Sequence, residues 1–105
     1  MKPRYLVVFV TVPSAKARQI AQYVISKKKA ACVNIIRGAT SLFWWRGNID
    51  TAKESLLIIK TQNKLFNSLK KAIVSKHPYK VPEIIALPII LGNREYLDWI
   101  DESVR

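Results

Sequence analysis

Hydrophobic residues along this chain occur in blocks whose spacing predicts strands and helices. Residues 4–12, RYLVVFVTV, are rich in β-branched and aromatic side chains, which is typical of a buried strand. Residues 30–45 predict a second strand with irregularities, and strand character returns over residues 54–61. The turn signal RGN at residues 46–48 separates these two segments, so we expect one long hairpin over residues 30–61.

Two segments with apolar residues at helical spacing alternate with these strands. Ser14 is placed to cap a helix over residues 15–28, and the lysine run at residues 27–29 suits the carbonyl end of its dipole. Asn63 is placed to cap a second helix. That helix must end near His77, because the residue before a proline is disfavoured in the α conformation.

The last quarter of the chain predicts one more strand and one more helix. The strand, residues 83–90, contains Pro88, which cannot donate to a ladder and so predicts an edge strand or a bulge. Asn93 is placed to cap the short C-terminal helix. The order β-α-β-β-α-β-α, with right-handed crossovers, predicts a ferredoxin-like α+β sandwich with an antiparallel sheet, in a single domain over residues 1–105.

The predicted sheet has helices on one face, and its long hairpin extends beyond it. An uncovered apolar face and exposed strand edges favour association with a partner. Trp44 and Trp45 point to opposite sides of a regular strand, so one can enter the chain's own core while the other needs a second surface. Aromatic residues are enriched at protein interfaces, which favours an interface over base stacking for this segment.

Charge and composition narrow the class of protein. Half of the 105 residues are hydrophobic, the formal net charge is +11, and residues 1–49 carry no acid. Such an excess attracts anions, although it is typical first of a solvated surface, so nucleic acid is not the expected partner. No apolar run approaches the roughly 20 residues that cross a membrane. We expect a cytoplasmic protein without a signal peptide, and the single cysteine agrees with a reducing compartment.

Candidate chemistry rests on few side chains. The chain has no G-x-S-x-G elbow and no G-x-x-x-x-G-K phosphate loop, so we expect no enzymatic activity and no required cofactor. Copper and other borderline metals favour Cys and His ligands, but no C-x-x-C or H-x-x-x-H spacing is present. Cys32 is more typical of a small buried strand residue than of a ligand, whereas His77 is equally compatible with a metal ligand and with a helix-terminating residue bonded to a backbone carbonyl or a neighbouring side chain. Tyr79 and Glu83 could line a polar cleft where two subunits meet, although for Glu83 pairing with a local lysine or capping of a backbone donor is slightly favoured.

Five short motifs, in this order along the chain, carry a specific resemblance. They are AACVNI at residues 30–35, W-x-G-x-I at 45–49, IKT at 59–61, HPY-x-VPEII at 77–85 and YL-x-W at 96–99. Together they resemble the CutA (CutA1) family of divalent-cation tolerance proteins over nearly the whole chain. Lys29 and Lys80 depart from the family's usual residues, and the second disfavours a cation near residue 80.

The resemblance implies ferredoxin-like subunits that form compact homotrimers, with long hairpins wrapping neighbouring subunits and an architecture similar to that of PII signalling proteins. It also implies tolerance to divalent metals, copper especially, and Cu²⁺ binding in some members. From the chemistry of the side chains, read together with this resemblance, we assign Cys32, His77 and Glu83 as metal ligands, Tyr79, Glu54 and Lys60 as cleft-lining residues, and Phe43, Trp44 and Trp45 as trimer-interface residues.

Three hypotheses follow. The first is a homotrimeric metal-tolerance protein that binds Cu²⁺ or another divalent cation weakly or acts as a trimeric scaffold. The second is a PII-like signalling trimer that binds a small anionic ligand at clefts between subunits. The third, least favoured, is nucleic-acid binding through the basic surface.

Overall fold

A computed structural model describes residues 3–105 of the chain. One antiparallel sheet has the strand order β2-β3-β1-β4, which confirms the predicted ferredoxin-like arrangement. Its elements are β1 (Tyr5–Val12), α1 (Ser14–Ser26), β2 (Cys32–Trp45), β3 (Asn48–Gln62), a single 3₁₀ turn (Asn63–Leu65), α2 (Phe66–Lys76), β4 (Ile84–Ile89) and α3 (Arg94–Ser103).

The main hydrophobic core lies between the sheet and helices α1 and α2. Alternate residues of β1 point to this side because successive side chains of a strand face opposite ways. Each is almost fully buried, as are their neighbours on β3 and the apolar stripes of both helices. The core side chains include Leu6, Val8, Val10 and Val12 of β1, Leu57 and Ile59 of β3, Ile20 and Val24 of α1, and Leu69 and Ile73 of α2.

The second face of the sheet is apolar but covered only at one end. There α3 packs Leu97 and Ile100 against Tyr5 in a separate small cluster. Beyond α3 the sheet has no covering layer within residues 3–105, and Ile85 and Leu87 of β4 remain 55% and 54% exposed. We call this uncovered part the open face; it also includes Val7, Phe9, Ile36, Leu56 and Ile58.

A single carboxylate fastens α3 to the sheet. The Tyr5 hydroxyl and the Gln62 amide donate to the two oxygens of Asp101 at 2.7 and 2.6 Å, and Arg4 adds a contact of 3.1 Å. Burial alone raises the pKa of Asp101, but the hydrogen bonds from Gln62 and Tyr5, aided by the Arg4 charge, outweigh it. The pKa of Asp101 therefore lies below its ordinary value, and the anionic form stabilises the fold.

The central hairpin is longer on its second strand than the sequence predicted. β3 begins at Asn48 and not at Glu54, because the strand pairs continuously with β2 from the turn onward. The turn itself consists of Arg46 and Gly47, both with positive φ (51° and 80°), a two-residue turn that suits the twist of a hairpin. The predicted turn position is confirmed.

A bulge interrupts β2 in the middle of the hairpin. Ile36 pairs with Leu56, but the next paired residue, Ala39, lies opposite Glu54. β2 therefore has one more residue than β3 across this interval, and Gly38 adopts a φ of 82° within it. The irregularity expected in this strand is thus a defined bulge.

Helix boundaries confirm two of the predicted caps and contradict two. The Asn93 side chain accepts from the backbone N–H of Glu95, and His77 terminates α2 as predicted. Ser14 does not cap α1, because Pro13 holds the N-cap position and the Ser14 hydroxyl bonds that of Ser55 at 2.8 Å. The side chain of Asn63 caps nothing, because a 3₁₀ turn precedes α2.

The end of α1 differs slightly from the prediction, and the edge position of β4 agrees with it. The helix stops at Ser26, two residues before the predicted end, and Lys28 takes a left-handed conformation with φ 59°. The N–H groups of Lys28 and Lys29 then bond the carbonyls of Ile25 and Val24, which closes the helix in a Schellman motif. β4, with Pro88, lies at the sheet edge as expected.

We expect Asp101→Asn to lower the free energy of unfolding by about 1 to 3 kcal/mol, because one donor of the cluster then faces an amide N–H₂ instead of an oxygen. In the wild type, the Asp101 carboxylate contributes fully to the free energy of unfolding above the ordinary carboxyl pKa of about 3.9. That contribution is lost as the pH falls through the lower pKa that Asp101 has in the folded protein. Denaturant unfolding at pH 7 and in acid measures both effects. Glu102→Gln, on the same helix and exposed, is the control; equal losses in the two variants would contradict the anchoring role.

Candidate functional site

His77 lies at the end of the sheet where α2 leads into β4, and both of its ring nitrogens have partners. Its Nε2 is 2.8 Å from the carbonyl oxygen of Thr11, and its Nδ1 is 3.1 Å from the backbone nitrogen of Tyr79. A carbonyl can only accept and a backbone N–H can only donate, so these partners assign the neutral ring with hydrogen on Nε2. The one lone pair that could bind a metal is engaged by Tyr79.

Tyr79 joins His77 to a buried carboxylate. The rings of the two residues lie 4.8 Å apart, and the Tyr79 hydroxyl donates to Glu54 Oε2 at 2.8 Å. Burial, with the hydrogen bond and the charge of Glu54, raises the pKa of Tyr79 to about 12. Glu54 is only 5% exposed. The two predicted cleft-lining residues Tyr79 and Glu54 are therefore in direct contact, and His77 holds the loop that carries Tyr79.

Lys60, the third predicted cleft-lining residue, belongs to a different cluster. It pairs with Cys32 in the hairpin register, and its ammonium lies against the Asn34 side-chain oxygen and 4.0 Å from the Cys32 sulfur. Tyr96 of α3 adjoins the same cysteine, and burial together with Cys32 raises the pKa of the Tyr96 hydroxyl. Cys32 is partly buried, so it is neither a fully buried strand residue nor a fully exposed one.

The three predicted metal ligands do not converge within one chain. Glu83 is exposed and immediately precedes Ile84, which pairs with Val10, so Glu83 lies at the end of the sheet that holds His77. Cys32 lies at the other end, about 13 Å along the strands and about 10 Å across them from Thr11, judged from strand spacings. Within residues 3–105 no group of three His, Cys, Asp or Glu side chains could hold a metal ion. A metal site built from these residues needs more than one chain, and it stays a prediction.

The aromatic residues near the hairpin tip are exposed on both sides of the ribbon. Trp44 is 73% exposed, Trp45 is 56% exposed and Phe43 is 40% exposed. Neither tryptophan enters the chain's own core, contrary to the expectation for one of them, because the tip extends beyond the helices that cover the sheet. The Arg46 guanidinium lies 5.5 Å from the centre of the Trp45 ring and shields part of it.

Comparison with known proteins agrees with this arrangement. The family model described as CutA1 divalent ion tolerance protein matches residues 6–103. The chain belongs to the CutA1 family. The divalent-cation tolerance protein CutA of Thermus thermophilus is 50% identical over 92% of this chain and 95% of its own length. Solved structures of CutA1 from Oryza sativa and of Cut A1 from T. thermophilus superpose with TM-scores of 0.95 and 0.94, at 46% and 48% identity. The match with the Oryza sativa structure covers 98% of this chain and 95% of that one. The match with the T. thermophilus structure covers 96% of this chain and 99% of that one.

Relatives of the CutA1 family differ in length and in stated compartment. The chain spans little more than half of the chloroplastic CutA 1 of Oryza sativa (57%) and of the CutA of Mus musculus (54%). The CutA of Archaeoglobus fulgidus is described as periplasmic. Across residues 3–105, none of the helices combines the length and the apolar character of a membrane span. The cytoplasmic location of this CutA1-family chain stays a prediction.

Sequence reasoning missed three residues of these clusters. Asn34 and Tyr96 adjoin Cys32, and Asp101 anchors α3. The proximity of Asn34 to Cys32 could have been predicted from the sequence, because Asn34 follows Cys32 by two residues and its side chain therefore lies on the same side of the strand. The roles of Tyr96 and Asp101 depend on where α3 docks, which no local pattern of this CutA1-family chain specifies.

We expect Glu54→Gln to lower the pKa of Tyr79 from about 12 while leaving it above the ordinary value of about 10, because the anionic acceptor is removed but burial remains. NMR titration of ¹³C-labelled tyrosine follows the four phenols, and Tyr79→Phe identifies the signal. Glu83→Gln is the control. A Tyr79 signal that titrates alike in wild type and Glu54→Gln, in folded protein, would refute the assigned contact.

Proposed function

We propose that this chain acts as a homotrimer in tolerance to divalent cations, and that it does so by binding or scaffolding and not by catalysis. The observation that supports this proposal is the open face of the sheet. Membership of the CutA1 family provides the association with divalent cations, and the open face provides the physical reason for assembly.

The open face is too apolar and too extensive to be explained as ordinary surface. Ile36, Ile85 and Leu87 are each about half exposed, and Phe9 and Ile58 lie between them at intermediate exposure. Because these side chains are already about half-buried, covering the rest of one of them contributes on the order of 1 kcal/mol, roughly half of the value for burying a fully exposed side chain. A contiguous patch of this kind on a soluble domain marks an interaction surface.

The two edges of the sheet favour copies of the same chain as the partner. β2 and β4 each leave one side of their backbone without a strand neighbour within residues 3–105. Open edges can pair with another strand, and the hairpin brings the exposed Phe43, Trp44 and Trp45 far enough from the sheet to reach a neighbour. A closed ring of identical chains covers the open face, the edges and the hairpin tips together.

Any direct role in binding a cation falls to clusters completed between chains. Glu54, Tyr79 and Glu83 lie at one end of the open face and Cys32 at the other. We propose that assembly brings a Cys32 or carboxylate ligand of one chain toward those of a neighbour, which gives a weak site for Cu²⁺ or another divalent cation. Lys60 beside Cys32 opposes cation binding, which agrees with low affinity.

Light scattering should give a particle of three times the 12.0 kDa chain mass. We expect Leu87→Lys to reduce that mass, because it places a charge in the middle of the apolar contact. Val74→Lys makes the same change on α2, where the residue is 50% exposed but faces away from the sheet, and should leave the mass unaltered. A folded wild-type monomer at micromolar concentration would refute the assembly.

Isothermal titration of the assembled protein with Cu²⁺ should show weak binding that Cys32→Ser and Glu83→Gln each reduce, because each removes a ligand atom. Glu102→Gln is the control.

His77→Ala requires a parallel unfolding curve, since it also removes two hydrogen bonds within the fold. Isotherms unaffected by Cys32→Ser, Glu83→Gln and a folded His77→Ala would contradict direct binding and leave the scaffold role. Nucleotides and organic acids titrated into the same sample test the alternative of an anionic ligand.

A further inference from the structure

The helix layer on the far side of the sheet from the open face is uniformly basic. Residues 14–29, which contain α1 and its closing turn, have five Lys or Arg and no acid, and residues 63–80, which contain α2, have the same. These cations are Lys16, Arg18, Lys27, Lys28, Lys29, Lys64, Lys70, Lys71, Lys76 and Lys80.

The acids lie elsewhere, so the two layers on the sheet have opposite character. Four of the seven acids are in α3, which packs on the other face, and the rest are on the hairpin or just before β4. Within the described part of the chain, no Asp or Glu side chain lies within 4 Å of a helix-layer cation. The sequence alone predicted a solvated basic surface; the structure adds that the basic residues are concentrated on one face without ion pairs to acidic side chains, although Lys64 is near enough to Asp101 for its charge to help lower the pKa of that carboxyl.

The cations converge at a groove between α1 and α2. The Lys76 and Lys27 ammonium groups lie 4.8 and 5.6 Å from the centre of the Tyr23 ring, with Arg18 along the same wall. The groove has a volume of about 540 Å³, is open to solvent, and is otherwise lined by Gln19, Gln22 and Ser26. Its lining consists of cations, amides, a hydroxyl and one aromatic ring, with no carboxylate. Such a lining suits phosphate oxygens, which accept from the ammonium, guanidinium and amide groups, whereas the Ser26 hydroxyl already donates to the Tyr23 carbonyl oxygen at 2.7 Å.

We propose that the α1–α2 face binds the phosphate backbone of nucleic acid without sequence readout. The basic residues extend well beyond a single anion: Lys16 and Lys27, eleven residues apart, span about 16 Å along α1. Over that length one strand of a duplex presents a phosphate every 3.4 Å or so, and several can be neutralised at once. An open groove would bury little of a small free anion, whereas an extended polyanion contacts many cations together.

The apolar content of this face favours nucleic acid over an anionic membrane. On α1 and α2 the exposed large apolar side chains are Ile25 and Val74, at 38% and 50%. A helix that lies in a membrane interface carries Trp, Phe or Leu on its inserted side, and no such row faces outward here. Because the helix layer is opposite the open face, the proposed assembly would leave it accessible.

The test uses the full chain and a short fluorescein-labelled DNA duplex of random sequence in fluorescence anisotropy. Binding at about 50 mM salt should weaken linearly in log K against log salt. The double variant Arg18→Glu/Lys76→Glu should bind on the order of tenfold or more weakly and should lower the salt slope by about 2. The variant Lys53→Glu/Arg94→Glu changes net charge equally on exposed residues away from the groove and should lose clearly less.

Three results would overturn the proposal. They are no binding of the duplex at about 50 mM salt, equal losses in the two double variants, and binding to phosphatidylserine vesicles without binding to the duplex. Light scattering and an unfolding curve on each variant separate a loss of binding from a loss of assembly or fold. The basic face is tested independently of the proposed function, because a monomer that binds the duplex would refute the trimer alone.

Discussion

The structure depends on a sheet that is covered by helices on one side only. A four-stranded sheet with α1 and α2 on one face buries a complete core there, so the chain folds around Val8, Val10, Leu57 and Ile59. The other face presents apolar residues of comparable character to solvent, apart from the end under α3. The hydrophobic effect makes that arrangement unfavourable for a solitary chain. Burial against a partner would account both for the exposed aromatic residues of the hairpin and for the exposed apolar face of the sheet.

Two polar networks hold the parts that the apolar core does not reach. At one end of the sheet Asp101 accepts from Tyr5 and Gln62, which fastens α3 across the strand ends. At the other end His77 bonds the backbone of Thr11 and Tyr79, which fixes the loop that aims Tyr79 at Glu54. In both networks buried side chains are held by hydrogen bonds, which define geometry where few apolar contacts can, although the Gln62 side-chain oxygen of the first network is buried without a partner among the described residues.

The sequence allowed prediction of those parts of the fold that depend on local pattern. Strand and helix order, the turn at Gly47, the Asn93 cap and the helix end at His77 follow from spacing and from proline or glycine chemistry. The N-terminal part of β3 was missed because Asn48 to Lys53 is mostly polar and projects into solvent, and its two apolar residues, Ile49 and Ala52, do not alternate as in a half-buried strand.

The candidate sites were less accessible to prediction because they depend on where distant elements dock. The contact between Tyr79 and Glu54 joins residues 25 positions apart, and the Asp101 cluster joins residues up to 97 apart. We chose Cys32, His77 and Glu83 as a predicted ligand group by the chemistry of their side chains alone. That chemistry does not reveal that strands β3 and β1 separate Cys32 from the other two residues.

The bulge at Arg37–Gly38 determines which way the outer half of the hairpin faces. In a regular strand Trp44 would continue the row formed by Cys32, Asn34 and Ile36, but the additional residue moves Phe43 and Trp45 into that row instead. Deleting one residue there would exchange the two sides of the ribbon and present a different set of aromatics to any neighbour. The number of residues in the bulge is therefore as important for what the hairpin presents as the identity of the tryptophans. The bulge has this effect although its own side chains belong to neither hydrophobic cluster.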